Sequence, residues 1–114
     1  MIKVYLGIDV GSKGFITLNV DGEFTFYSIA DLDFYQISDI LRNIRNNYKD
    51  VVCTIEEVHA IFGSSAKATF SFGDIFGTIK GLLIANKIPY HLVQPKVWQS
   101  VIWENKDIVV KYKT

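Results

Sequence analysis

Along the first thirty residues the apolar positions alternate or fall in short runs. Val4 to Asp9 and Gly14 to Val20 are rich in β-branched and aromatic residues, the composition that fits a pleated, half-buried surface. Asp21-Gly22 follows, a pair suited to a two-residue hairpin turn, and Glu23 to Ile29 reads as a third strand. An antiparallel meander of three strands is expected, with Gly11-Ser12-Lys13-Gly14 as its first turn. From Asp33 the period changes. Phe34, Ile37, Leu41, Ile44 and Tyr48 recur at spacings of three and four, the stripe of an amphipathic helix, and Asp33 with Gln36 can form its capping box.

Val51 to Ile55 is a continuous apolar run, as expected of a strand buried on both faces within a sheet. It stops at Glu56-Glu57. Beyond Gly63-Ser64-Ser65 a long helix is predicted from about Ala66 to Asn86, then a short strand at Tyr90 to Val93, and Pro95 opens the first turn of another helix carrying Trp98. The order is βββαβαβα. It predicts an α/β domain with a mixed five-stranded sheet, three antiparallel strands followed by two added through helical crossovers, flanked by helices. That is the layout of the ribonuclease H-like fold, which nucleases share with actin-like ATPases and sugar kinases, so the site must decide between them.

Composition narrows the choice. A chain of 114 residues is expected to form a single domain. With 49% hydrophobic and 21% charged residues it is an ordinary globular composition, and no run of about 18 apolar residues suggests a membrane span. The expectation is a soluble protein with no membrane partner. The short apolar start before Asp9 lacks the features of an export signal. Cys53 sits within the apolar run and is expected as a buried, reduced thiol, which suits the cytoplasm of a bacterium or phage-infected host. Twelve basic and twelve acidic residues give a formal net charge of zero, so any nucleic-acid reading must rest on motifs rather than on charge.

The carboxylates carry the chemistry. Asp9 ends an almost wholly apolar strand, where a desolvated, unpaired charge costs several kcal/mol, so something must compensate it. Glu56 ends another. If these strands are neighbours, both acids reach one end of the sheet and make an oxygen-donor site for Mg²⁺ or Mn²⁺. Two-metal catalysis of phosphodiester displacement uses such carboxylates, usually three or four of them. Equally, Asp9 can cap the Gly11 turn while Glu56 is a solvated strand end; spacing alone leaves both readings open.

Leu6-Gly7-Ile8-Asp9-Val10-Gly11-Ser12 with its hairpin, Ile55-Glu56-Glu57-Val58-His59-Ala60, Phe70-Ser71-Phe72-Gly73 with Gly77 and Gly81, and Val93-Gln94-Pro95-Lys96-Val97-Trp98 together resemble phage-type RuvC-like Holliday junction resolvases. The resemblance spans nearly the whole chain in order. The first motif alone is shared with actin-like ATPases; the Ile-Glu-Glu-Val-His block with the downstream Phe-Gly helix is the specific part. The resemblance implies an Mg²⁺-dependent endonuclease cutting branched DNA such as a four-way junction, with Asp9 and Glu56 as catalytic metal ligands, Glu57 facing the other way, and a homodimer formed partly through the glycine-bearing helix. It also implies two more acidic residues on a C-terminal helix. After Trp98 the sequence offers only Glu104 and Asp107, so the chain is expected to be truncated relative to the family and to cut DNA weakly or not at all by itself.

Gly73, Gly77 and Gly81 fall four apart on one helix face, each costing about 1 kcal/mol relative to Ala. A reason is expected: close packing against the sheet, the reading favoured by the residues alone, or against a second copy. Lys13, Lys67, Lys80 and Lys96 are scattered; Lys13, Lys67 and Lys96 are candidate phosphate contacts, against the ordinary role of solvated lysines. His59 and Phe62 follow Glu56 closely, where an aromatic could stack on an unpaired base; a core role for Phe62 and a local hydrogen bond for His59 are the alternatives. Trp98 and Trp103 are assigned to packing. Against the nuclease stand a catalytically silent ribonuclease H-like DNA-binding module and an actin-like or sugar-kinase-like nucleotide-binding domain. The latter needs a second phosphate loop and an adenosine motif that this sequence lacks.

Overall fold

The computed structural model describes residues 2–10, 14–56 and 65–93. Three strands, β1 (Lys3–Asp9), β2 (Phe15–Val20) and β3 (Glu23–Ser28), form the expected meander. Its second turn has Asp21 at φ 52° and Gly22 at φ 87°, the two positive values that keep a two-residue hairpin in step with strand twist. The side chain of Asn19 accepts from the Gly22 N–H at 3.0 Å and closes the turn. The Ile29 N–H donates to the Gly14 carbonyl at 3.0 Å, tying the start of β2 to the 3-10 turn at Ile29–Asp31 that follows β3.

Helix α1 spans Phe34–Asn47 and begins with the expected capping box: the Gln36 N–H donates to the Asp33 side chain, and the Gln36 side chain accepts from the Asp33 N–H. Ile37, Leu41 and Ile44 are buried along one stripe. Strand β4 (Asp50–Glu56), helix α2 (Ala66–Ala85) and strand β5 (Tyr90–Val93) complete the order. The expected third helix around Pro95 and Trp98 lies outside the described residues.

The sheet order is β3-β2-β1-β4-β5. β1 is antiparallel to β2 and parallel to β4, and β4 is parallel to β5. The mixed sheet expected from the element order is therefore present. Val4, Leu6 and Ile8 of β1, Ile16 and Leu18 of β2, and Val51, Cys53 and Ile55 of β4 form one buried cluster with Ile37, Leu41 and Ile44 of α1 and Ile79 and Leu83 of α2. Both helices thus lie on the same face of the sheet. Cys53 is a free, buried cysteine, and desolvation pushes its thiol up to about 12, which keeps it protonated and unreactive.

Two expectations about α2 change. The glycine stripe does not pack against the sheet: a Cβ built on Gly73, Gly77 or Gly81 meets nothing within 4 Å among the described residues. Ile79 and Leu83, on another face of the helix, make the buried contact instead. And α2 is, by length and composition, long and apolar enough to cross a membrane, with only 11% of its apolar window buried. Its apolar residues are interrupted by Gly, Ser and Thr and by Lys67, Asp74 and Lys80, so a search for unbroken apolar runs passes over it.

Candidate functional site

Asp9 and Glu56 come together because of how β1 and β4 pair. The two strands run parallel with Ile8 opposite Ile55. Each acid is the next residue of its strand, so both side chains leave the same end of the sheet on the same face, opposite the buried isoleucines. Asp9 also stands in register with Phe15 on β2, and Glu56 with Val93 on β5. The rim therefore reads Phe15, Asp9, Glu56, Val93 across four strands.

The pair is electrostatically coupled. Burial pushes the Glu56 carboxyl from 4.5 up to about 7, and two contributions from Asp9, a side-chain hydrogen bond and charge repulsion, push the same way. At neutral pH Glu56 is thus poised to hold a proton and donate it to Asp9, because two adjacent carboxylates ionise together only at a cost. A divalent cation can replace that proton by neutralising both oxygens at once, and an all-oxygen donor pair suits Mg²⁺ or Mn²⁺. This is a fit to a cation in kind and in charge. In number the donors are few: among the described residues no group of three or more His, Cys, Asp or Glu side chains could hold a metal.

Of the other candidates, Lys67 lies exposed in the first turn of α2. That helix connects two parallel strands, so its N-terminus must return from the end of the sheet where β4 stops, the end with Asp9 and Glu56. Ser65 caps it, its hydroxyl accepting from the Ala68 N–H at 3.1 Å. Lys80, further along, sits over the Phe76 ring at 4.3 Å, a cation–π contact on the helix itself. Lys13, His59, Phe62 and Lys96, together with Glu57, lie outside the described residues.

Two residues that drew no attention in the sequence share the site's face. Stepping back by two along the strands, Thr54 lies behind Glu56, and His91 is in register with Thr54 on β5. His91 is exposed. The alternation of side chains along a strand would have found both, had the pairing of β4 with β5 been known.

No family model and no curated protein matches the sequence. Solved structures do match. The RuvC protein of Thermus thermophilus in complex with a Holliday junction substrate superposes with a TM-score of 0.60 at 10% identity, covering 82% of this chain and 66% of that one. A second Thermus thermophilus RuvC structure gives a TM-score of 0.49 at 15% identity, covering 81% and 64%. The chain thus spans just under two thirds of the length of these structures. At this identity the likeness establishes the fold, which is the ribonuclease H-like fold of RuvC.

Proposed function

We propose that this chain carries the carboxylate centre of a divalent-metal-dependent endonuclease for branched DNA, four-way junctions in particular, working in the cytoplasm of a bacterium or a phage-infected host. The observation that carries the proposal is the coupled Asp9–Glu56 pair at the C-terminal edge of two parallel strands. Its support in the fold is the similarity to a RuvC protein that was seen with a Holliday junction substrate. Asp9 and Glu56 would hold Mg²⁺ or Mn²⁺; when bound, the ion supplies positive charge that acidifies water and stabilises a leaving oxygen. The chain's own part is to hold two carboxylates rigidly at the ends of buried strands and to exchange the proton on Glu56 for the cation. Lys67 extends the same end of the sheet with positive charge for a phosphate.

The open glycine stripe of α2, with Phe70 at 80% and Ile84 at 64% exposure on the same helix, supports a homodimer through that helix, which would present two such centres to a junction of twofold shape.

Mn²⁺ binding followed by calorimetry and four-way-junction binding followed by fluorescence anisotropy test the proposal together. Wild type should bind Mn²⁺, Asp9→Asn and Glu56→Gln should each lose at least about tenfold in affinity (about 1.4 kcal/mol), and the junction should outcompete a linear duplex of equal length. Because only two ligands are placed, cleavage by these 114 residues should be slow, metal-dependent and abolished in both variants. Unchanged Mn²⁺ binding in both variants would move the site elsewhere. Junction binding with no metal binding at all would favour the silent DNA-binding module.

A further inference from the structure

Directly behind the two carboxylates, on the face of the sheet turned away from α1 and α2, lies a second row of residues. Two positions before Asp9 and Glu56 on their strands are Gly7 and Thr54, which stand in register with each other, and His91 of β5 stands in register with Thr54. The row therefore reads Gly7, Thr54, His91. Cys53 and Tyr90, the register pair one position earlier, turn toward the helices, which sets His91 on the opposite face with Glu56. Gly7 carries no side chain, and a Cβ built there meets nothing within 4 Å among the described residues, so the floor beside Asp9 is open to a close approach. Thr54 is half-buried and brings a hydroxyl to this floor, while His91 is exposed and brings an imidazole to its outer side. One row further from the rim, Tyr5 and Val52 stand in register and end the polar stretch. The polar groups of this part of the face are thus confined to the neighbourhood of the carboxylates.

His91 stands too far back to be a third ligand of an ion held by the acids. Strand spacing and rise place its Cα about 8 Å from that of Glu56 and about 12 Å from that of Asp9, and among the described residues no group of three or more His, Cys, Asp or Glu side chains could hold a metal. About 8 Å is instead a separation that one extended nucleotide can bridge. An imidazole keeps an N–H to donate in either protonation state, and a phosphodiester offers charged oxygens, the acceptors of the stronger hydrogen bonds. We propose that His91 donates a hydrogen bond to the phosphate one nucleotide away from the phosphate held at Asp9 and Glu56, the backbone between them passing the Thr54 hydroxyl in the open space beside Gly7. The proposal rests on reading the two carboxylates as a nuclease centre, and it adds the direction in which the cut strand leaves that centre, back along β4 toward the β5 edge. A contact of this kind fixes the register of the strand without reading its sequence.

Four-way junctions carrying a single uncharged methylphosphonate at each phosphate around the branch point test this, with binding of the full chain followed by fluorescence anisotropy in Ca²⁺. Wild type should have a phosphate whose neutralisation weakens binding at least about tenfold, the scale of a hydrogen bond to a charged group. His91→Ala should lose a similar factor on the unmodified junction and nothing further when that phosphate is neutral. His91→Gln, which keeps an N–H donor, should retain most of the binding, and Asp9→Asn should stay sensitive to the same phosphate. In calorimetry His91→Ala should bind Mn²⁺ as wild type does. If His91→Ala does not fold by far-UV circular dichroism, His91→Val, suited to an edge strand, takes its place. Losses that simply add in His91→Ala and the modified junction, or a wild type indifferent to every methylphosphonate, would overturn the His91 contact, while Mn²⁺ and junction binding that persist leave the carboxylate centre standing. Mn²⁺ binding lost in His91→Ala would make the histidine a metal ligand and overturn the contact as well. A wild type that binds no junction would overturn both this proposal and the reading on which it rests.

Discussion

Glu56 shows how one residue takes its properties from a neighbour that the sequence places far away. Its folded carboxyl titrates at about 7 against 4.5 when unfolded, through burial first and Asp9 second. The folded chain therefore holds a proton that the unfolded chain releases. Without metal, stability is full below 4.5, declines as the pH rises to about 7, and stays lower above that. Glu56 is half-exposed, so screening reduces the effect to roughly 1 kcal/mol. Urea denaturation in EDTA should show Glu56→Gln more stable than wild type by about that amount at pH 8 and equal to it at pH 4. Added Mn²⁺ at pH 8 should then stabilise wild type and leave the variant unmoved. A variant advantage independent of pH would mean that the two carboxyls are not coupled. Asp9 and Glu56 were legible as candidates because each interrupts an apolar strand; that they touch follows only from β1 pairing with β4.

Among the elements, α1 was the most legible, since its cap and its stripe are both local. Asp33→Ala removes the acceptor for the Gln36 N–H, at 2.8 Å, and should cost about 1 kcal/mol in thermal or urea unfolding. α2 was misread in a useful way. Its three glycines were expected to allow a close approach either to the sheet or to a second copy; among the described residues the space beside them is open, so the sheet is not that neighbour, and the helix docks through Ile79 and Leu83. Nothing among the described residues therefore opposes a methyl group there. Gly77→Ala should raise stability by about 0.8 kcal/mol, the ordinary gain of Ala over Gly in a helix, measured by urea denaturation at low protein concentration. A loss of stability instead would show that the glycine face is closely packed after all.

At the scale of the whole molecule, the sheet divides the protein into a face with two helices and a face with aromatic side chains, and α2 turns a further apolar surface outward. An apolar helix left this open by the described residues is the surface through which the proposed homodimer would form. Sedimentation equilibrium should show a concentration-dependent dimer, and Phe70→Lys and Gly77→Ala should each weaken it, the first by charge and the second by bulk. A monomer at every accessible concentration would leave α2 without the partner proposed for it. Gly77→Ala separates the two scales, since it should stabilise the monomer while weakening the dimer.

Local interactions were in the sequence from the start: the Asp21-Gly22 turn, the Asp33 cap, the three-and-four stripe of α1 and the apolar run of β4 all act over a few residues, so their patterns survive without the fold. The element order restricted the topology, because parallel strands need helical crossovers. Pairing was another matter. That β1 lies between β2 and β4, that Thr54 and His91 stand behind the carboxylates, and that the α2 glycines face outward depend on contacts between residues far apart in the chain. Periodicity tells which residues share a face of an element; only tertiary packing decides what that face meets.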